Sequence, residues 1–231
     1  MTIIGFFQQN YFLGESSNRN TDNIQTQIDI ESEEIEIINS TFLTLIGTHW
    51  YYERLIPPPI PLSQDATKED SIEYKKELER INEKNKNPKP DTSRLVVFFK
   101  DSLIAYPESE RNSRFLEPKS FIMNFSVDSS FIPLLKELYK LNEAKSIDLK
   151  NITNRGRFEI HPLDETKEVN GNFKRVGYLR YSRIAFSKNL DRACFYFDFL
   201  NSPLNGYGLI VFLEKRQGKW IIIGQREMWI A

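Results

Sequence analysis

Apolar and polar positions recur along this chain with two different periods, and each period predicts an element. Ile35, Ile38, Phe42 and Leu45 return at three- and four-residue steps, with Ile46 and Trp50 beside them and His49 one turn on. That spacing predicts an amphipathic helix. Glu31, Glu33 and Glu34 lie where a helix N-terminus favours negative charge, Asp29 or Ser32 is placed to cap it, and Gly47 is a candidate stop. A second helical stripe, Phe131, Leu134, Leu135, Leu138 and Leu141, follows the capping residues Ser129 and Ser130. Its Pro133 falls in the first turn, where a missing N–H is tolerated. Both helices are expected to cover a sheet.

Between them the pattern thins. Residues 15–27 are polar and read as a surface loop or arm. Ile56-Pro57-Pro58-Pro59-Ile60-Pro61 must be extended, because proline fixes φ and removes amide donors. It reads as a stiff connector, the other reading being a ligand for an aromatic groove. Residues 66–87 are charge-dense, with only Ile72, Tyr74, Leu78 and Ile81 as an apolar seam. They predict a solvated helix supported by pairs such as Lys75/Glu79. The span 56–90 is thus a proline-rich connector plus a charged helical insertion.

Two-residue alternation and short apolar runs mark the strands. Leu95–Phe99 and Leu103–Tyr106 read as two strands around a tight polar turn, residues 121–125 as a short strand, and Arg157–Ile160 as a strand stopped by His161-Pro162. Residues 174–231 carry an antiparallel meander, with four strands from Tyr181 onward. In Arg192–Leu200 one parity (Ala193, Phe195, Phe197, Phe199) is a core face. The other (Cys194, Tyr196, Asp198, Leu200) is mixed and suits a concave or semi-exposed surface. Tyr207–Lys215 is apolar on both parities, which predicts the innermost strand. Gln217-Gly218 reads as the hairpin turn and residues 201–206 as a looser connection. The fold class is α+β in one domain over residues 1–231: a mostly antiparallel sheet, a C-terminal four-strand meander, two principal packing helices and the charged insertion. An NTF2-like or cystatin-like cone is a candidate form.

Composition narrows the function classes. With 40% hydrophobic and 13% aromatic residues the chain has material for a core, which excludes wholesale disorder. Lys and Arg total 31 against 32 Asp and Glu, so no basic surplus argues for nucleic acid or an anionic membrane. The apolar start, Met1 to Phe7, is too short for a bilayer span and lacks the charged front of a signal peptide. The expected compartment is the cytoplasm, or the periplasm or a lipid anchor if an export signal has been removed.

Ser182-Arg183-Ile184-Ala185-Phe186-Ser187, then Ala193 to Phe197, Gly206-Tyr207-Gly208, Leu213-Glu214-Lys215, Gly218-Lys219-Trp220 and the closing Trp229 resemble the C-terminal region of uncharacterised bacterial proteins, many from the Bacteroidota. The resemblance covers about a quarter of the chain. It implies a sheet module and no activity. Relatives often carry a cysteine- and glycine-rich loop where this chain has Asn201 to Gly206.

Candidate chemistry is sparse. His49, His161 and Cys194 are isolated from one another in sequence, so no metal-ligand spacing exists, and no cofactor is expected. Gly206-Tyr207-Gly208 precedes a strand and offers no helix N-terminus to a phosphate. Cys194, in an apolar strand, reads as an inert buried thiol. His49 reads as a satisfied structural histidine, and Glu33 and Glu34 as ordinary helix surface. Arg180, Tyr196 and Asp198 are expected to share the mixed face, either as a polar pocket or as a cross-strand ion pair on a solvated face. On the pocket reading, Asp198→Asn with Arg180→Gln leaves folding intact and abolishes ligand binding. Trp50, Tyr51, Tyr52 and Trp229 are aromatics suited to a partner surface. The leading expectation is therefore a non-enzymatic binding protein with a protein partner, such as an immunity or adaptor protein for a toxin or secretion component. The alternative is a small NTF2-like enzyme or ligand-binding protein with a Tyr/Arg/Asp-lined pocket.

Overall fold

Helix α1 (Asn18–Ile46) begins the part of the chain that the computed structural model describes, namely residues 18–108, 113–165 and 169–231. There follow α2 (Lys68–Lys86), β1 (Leu95–Phe99), β2 (Ser102–Leu103), α3 (Pro118–Phe125), α4 (Ile132–Lys140), β3 (Lys145–Ser146), β4 (Phe158–Pro162), β5 (Lys174–Tyr181), β6 (Ala185–Phe186), β7 (Arg192–Ser202), β8 (Asn205–Arg216) and β9 (Lys219–Ile230). The main sheet runs β4-β1-β5-β7-β8-β9, with β6 also paired to β7, while β2 and β3 form a separate ribbon. From β5 to β9 every pairing is antiparallel. The class is α+β, with a mostly antiparallel sheet ending in a meander.

Alternation along β7 and β8 separates two cores. Ala193, Phe195, Phe197 and Phe199, with Leu209, Val211 and Leu213, pack against Ile37, Ile38, Phe42, Leu45 and Ile46 of α1. Cys194, Tyr196, Ile210 and Phe212 face the other way, against Phe121 and Phe125 of α3 and Leu134, Leu135 and Leu138 of α4. The mixed parity of β7 is therefore neither concave nor semi-exposed, because a second helical layer covers it. β7 is buried on both faces as β8 is, and β8 lies next to the edge strand rather than innermost.

Several other expectations fail for identifiable reasons. Helix α1 starts at Asn18, so most of the expected arm at 15–27 is helical; residues 15–17 lie outside the described residues. Once the apolar stripe nucleates the helix, propagation through polar residues costs little. β1 forms no hairpin with β2. It lies parallel to both β4 and β5, and its five residues are all buried, as a strand covered on both faces requires. Residues 121–125 are helical: Pro118 starts α3, and Phe121 and Phe125, one turn apart, bring their rings within 4.8 Å. The connection at 201–206 is tight, with Ser202 paired to Asn205. β4 continues through His161 to Pro162, since a strand at the sheet edge tolerates a terminal proline.

Helix α1 is also fastened by charge. Glu34 is 1% exposed and accepts from Lys145 at 2.8 Å and from Arg183 at 3.2 Å. Glu33 accepts from Lys215 and, at 2.6 Å, from the Trp220 indole. These carboxylates are ties between helix and sheet, not ordinary helix surface.

The insertion leaves at Tyr52 and returns at Pro90, where the two legs pair in an isolated antiparallel bridge. Glu53 N–H donates to Lys89 and Asp91 N–H to Tyr51, each at 2.8 Å. Residues 53–63 carry no regular hydrogen-bonded structure. The Asn85 side chain clamps Ile56, accepting from its N–H at 3.0 Å and donating to its carbonyl at 2.8 Å. At the far end Thr67 caps α2 in a reciprocal box with Asp70. From Ile56 to Ser63 a polyproline-like chain spans roughly 22 Å. The helix from Lys68 to Asn85 spans about 26 Å, so an extended strap is needed to run back along α2.

Candidate binding cleft

Where α1 hands the chain to the insertion, the backbone turns sharply. Gly47 has φ 84°, and a Cβ there would lie 2.7 Å from His49 Nδ1. Glycine is needed at this point. The helix stops at Ile46, and a 3-10 turn over Thr48–Tyr51 releases the strap. His49 is therefore off the helix face and exposed. Its carbonyl accepts from Tyr52 N–H at 3.3 Å, but its imidazole makes no hydrogen bond among the described residues, so it is not the satisfied structural histidine expected.

This turn and the strap form one wall of a cleft of about 710 Å³. Ile46, His49, Trp50, Tyr52 and Leu55 line that wall, and Pro88 contributes from the returning leg. Lys174 from β5, Phe199 and Asn201 from the end of β7, and Asn205 and Tyr207 from the start of β8 complete the floor. The Trp50 ring meets Phe199 edge-on at 6.4 Å and lies 4.8 Å from the His49 ring. Lys174 Nζ stands 5.8 Å over the Trp50 ring and pairs with Asp91 at 2.7 Å. Tyr207 donates its hydroxyl to the Leu45 carbonyl, which pins the floor to α1.

The apolar rim is uncovered: Tyr52 is 44% and Leu55 56% exposed. The Trp50 indole N–H is buried without a hydrogen-bond partner among the described residues. A buried orphan donor costs about 1–3 kcal/mol. Partial burial, and then the Lys174 charge, hold His49 below the ordinary histidine range. Lys174→Met should raise its midpoint without fully restoring it, since burial is the larger cause. Ring-proton NMR across a pH series reads this directly. With the folded value depressed, the linked stability is present above the unfolded histidine pKa and is lost as pH falls toward the folded one.

Tyr51 sits beside the cleft but turns away from it. Its hydroxyl accepts from Arg157 N–H at 3.1 Å and its ring lies 5.1 Å from Phe158. It bolts the neck of the insertion to β4.

The other predicted residues meet on the opposite face of the sheet. Arg180 and Asp198 are directly opposed in the β5/β7 register. The guanidinium donates to both carboxylate oxygens, at 2.9 and 2.6 Å. Asp198 is 1% exposed; through hydrogen bonding and charge it holds the Arg180 pKa above its ordinary value. The next residue across is Gly208, then Trp229. A Cβ on Gly208 would fall 2.1 Å from Trp229 Nε1, so glycine lets the indole cross β8 and donate to the Tyr196 hydroxyl at 2.7 Å. Arg180, Tyr196, Asp198 and Trp229 thus form one cross-strand network, separate from Trp50 and Tyr51. Cys194 lies buried beneath it, and burial pushes its thiol pKa up.

Sequence reasoning missed Lys174, Asn205 and Tyr207, which reach the cleft only through sheet pairing. It also passed over Leu55, although a leucine at the head of a proline-rich strap is a signal of exposure. No protein-family model matches the chain, no curated protein matches it, and no solved structure matches it.

Proposed function

We propose that this is a non-enzymatic binding protein, and that its partner protein inserts an apolar side chain into the cleft at the mouth of the insertion. The observation that carries this reading is the exposed apolar rim, Tyr52 and Leu55, around a floor of Phe199 and Tyr207. Apolar surface left in water regains about 25 cal/mol per Å² when covered. Local charge suits a neutral insert: Lys174 is matched by Asp91, and His49 favours its neutral form.

The concrete form adopted is a bacterial immunity or adaptor protein that neutralises or delivers a toxin. The resemblance of the C-terminal sheet to uncharacterised bacterial proteins supports that setting. A second reading, a small apolar ligand in the same cleft, is favoured by a volume within the range of small-molecule sites. The Arg180/Asp198/Tyr196 pocket has less support, because both Asp198 oxygens are occupied by Arg180.

Leu55→Asp places a charge at the rim, and Tyr52→Ala removes an aromatic wall. Tagged wild-type chain purified from its native host is expected to retain a stoichiometric partner. Leu55→Asp should weaken that complex about 30-fold, the loss of one interface hot spot, with an unchanged circular dichroism spectrum. A partner held equally by both chains, or none held by the wild type, would count against the reading.

A further inference from the structure

The strap that walls the cleft carries a second surface, independent of the first. A polyproline helix has three residues per turn, so Ile56, Pro59 and Leu62 share one edge. That edge is the inner one: Pro59 is half-buried, and Ile56 and Leu62, at 38% and 41% exposed, are far less open than Ile60. The other two edges carry Pro57 with Ile60 and Pro58 with Pro61. Ile60 is 88% exposed, and Pro57, Pro58 and Pro61 are all exposed.

A connector has no need of an isoleucine held out in water. Nor is this strap free to collapse, because Asn85 clamps Ile56 through both backbone groups and Ala66 N–H returns to the Ser63 carbonyl at 3.2 Å. The Ile60 and Leu62 amides make no hydrogen bond among the described residues. The segment is an extended strap whose prolines fix the backbone angle of a polyproline helix, with two of its three edges open. Such a segment is recognised by grooves lined with parallel aromatic rings, and ordering it beforehand removes much of the entropic cost of binding. Arg54, exposed and without an ion pair among the described residues, adds a cation at the N-terminal end.

We propose that the outward edges of Pro57–Pro61 are a preformed ligand for a partner domain with an aromatic-lined groove and an acidic side chain at one end. The test titrates the full ¹⁵N-labelled chain with three purified probes: an SH3-type, a WW-type and an EVH1-type domain. At least one is expected to shift the Ile60 and Leu62 amide resonances with a Kd below about 100 µM. Pro58→Ala with Pro61→Ala, on an outward edge, should weaken that binding about tenfold, and Ile60→Asp likewise. Pro59→Ala, on the inward edge, should change it less than about threefold, and the amide spectrum outside the strap reports that each variant is folded. The proposal is overturned if no probe binds more tightly than about 1 mM, or if inward and outward variants weaken binding equally.

Discussion

Arg180→Ala is expected to cost about 3–5 kcal/mol of folding stability, several times the cost of a typical surface ion pair. The asymmetry between the partners is the reason. The Arg180 side chain is 42% exposed and regains water if its partner is lost, whereas Asp198 is 1% exposed. Truncating the arginine strands a buried carboxylate with both of its arginine hydrogen bonds gone. Asp198→Asn keeps the shape and removes the charge, so its cost should be clearly smaller. Arg180→Leu with Asp198→Leu removes both charges and should recover most of the loss, since apolar pairs often replace buried ion pairs at little cost. Urea unfolding of the wild type and the three variants measures each loss. Equal losses for Arg180→Ala and Asp198→Asn would show that burial is not what sets the cost. Losses of this size would replace the pocket reading, in which these positions change without affecting folding, with a structural pair.

The parts of the fold that sequence made legible are those where one local pattern has one structural solution. Tyr207–Lys215, apolar on both parities, is a strand covered on both faces. The Gln217-Gly218 turn, with φ of 51° and 77°, closes β8 onto β9. The stripe from Phe131 to Leu138 packs as read. Where a run was short, periodicity did not discriminate: Phe121 to Phe125 fits strand or helix, and Pro118 and the left-handed Ser126 decide the matter. Leu95–Phe99 and its neighbours could equally form a hairpin, because strand partners follow from sheet order, which no local window contains.

The candidate site divides along the same line. That Arg180 and Asp198 share a face was visible from strand parity, whereas their direct opposition follows from sheet order. The cleft depends on Gly47 ending α1 a turn early and on the sheet bringing Asn205 and Lys174 beneath Trp50. Glu34 illustrates the other limit. Its place within an acidic run suggests surface, yet the approach of Lys145 and Arg183 makes it a buried tie.

Phe212→Ala is expected to be the most damaging of the core truncations, at about 3–5 kcal/mol. Phe121, Phe125 and Phe131 each meet the Phe212 ring edge-on, at 5.7, 5.3 and 5.4 Å. One side chain of β8 therefore docks α3 and the turn leading into α4. Edge-to-face pairs add about 0.5–1.5 kcal/mol each beyond area burial, so losing three at once exceeds the cavity cost alone. The damage should also be one-sided. Phe212 points away from α1, whose contacts run through Val211, Leu213 and Phe197. Hydrogen exchange on the variant should show α3 and α4 losing protection first, while α1 and the amides flooring the cleft stay slow relative to them. If α1 and α3 lose protection together, the two layers unfold as one unit and the cleft cannot be altered independently of the second core. If they separate, the first core alone holds Trp50, Phe199 and Tyr207 in place, and partner binding should survive a loosened α3/α4 layer.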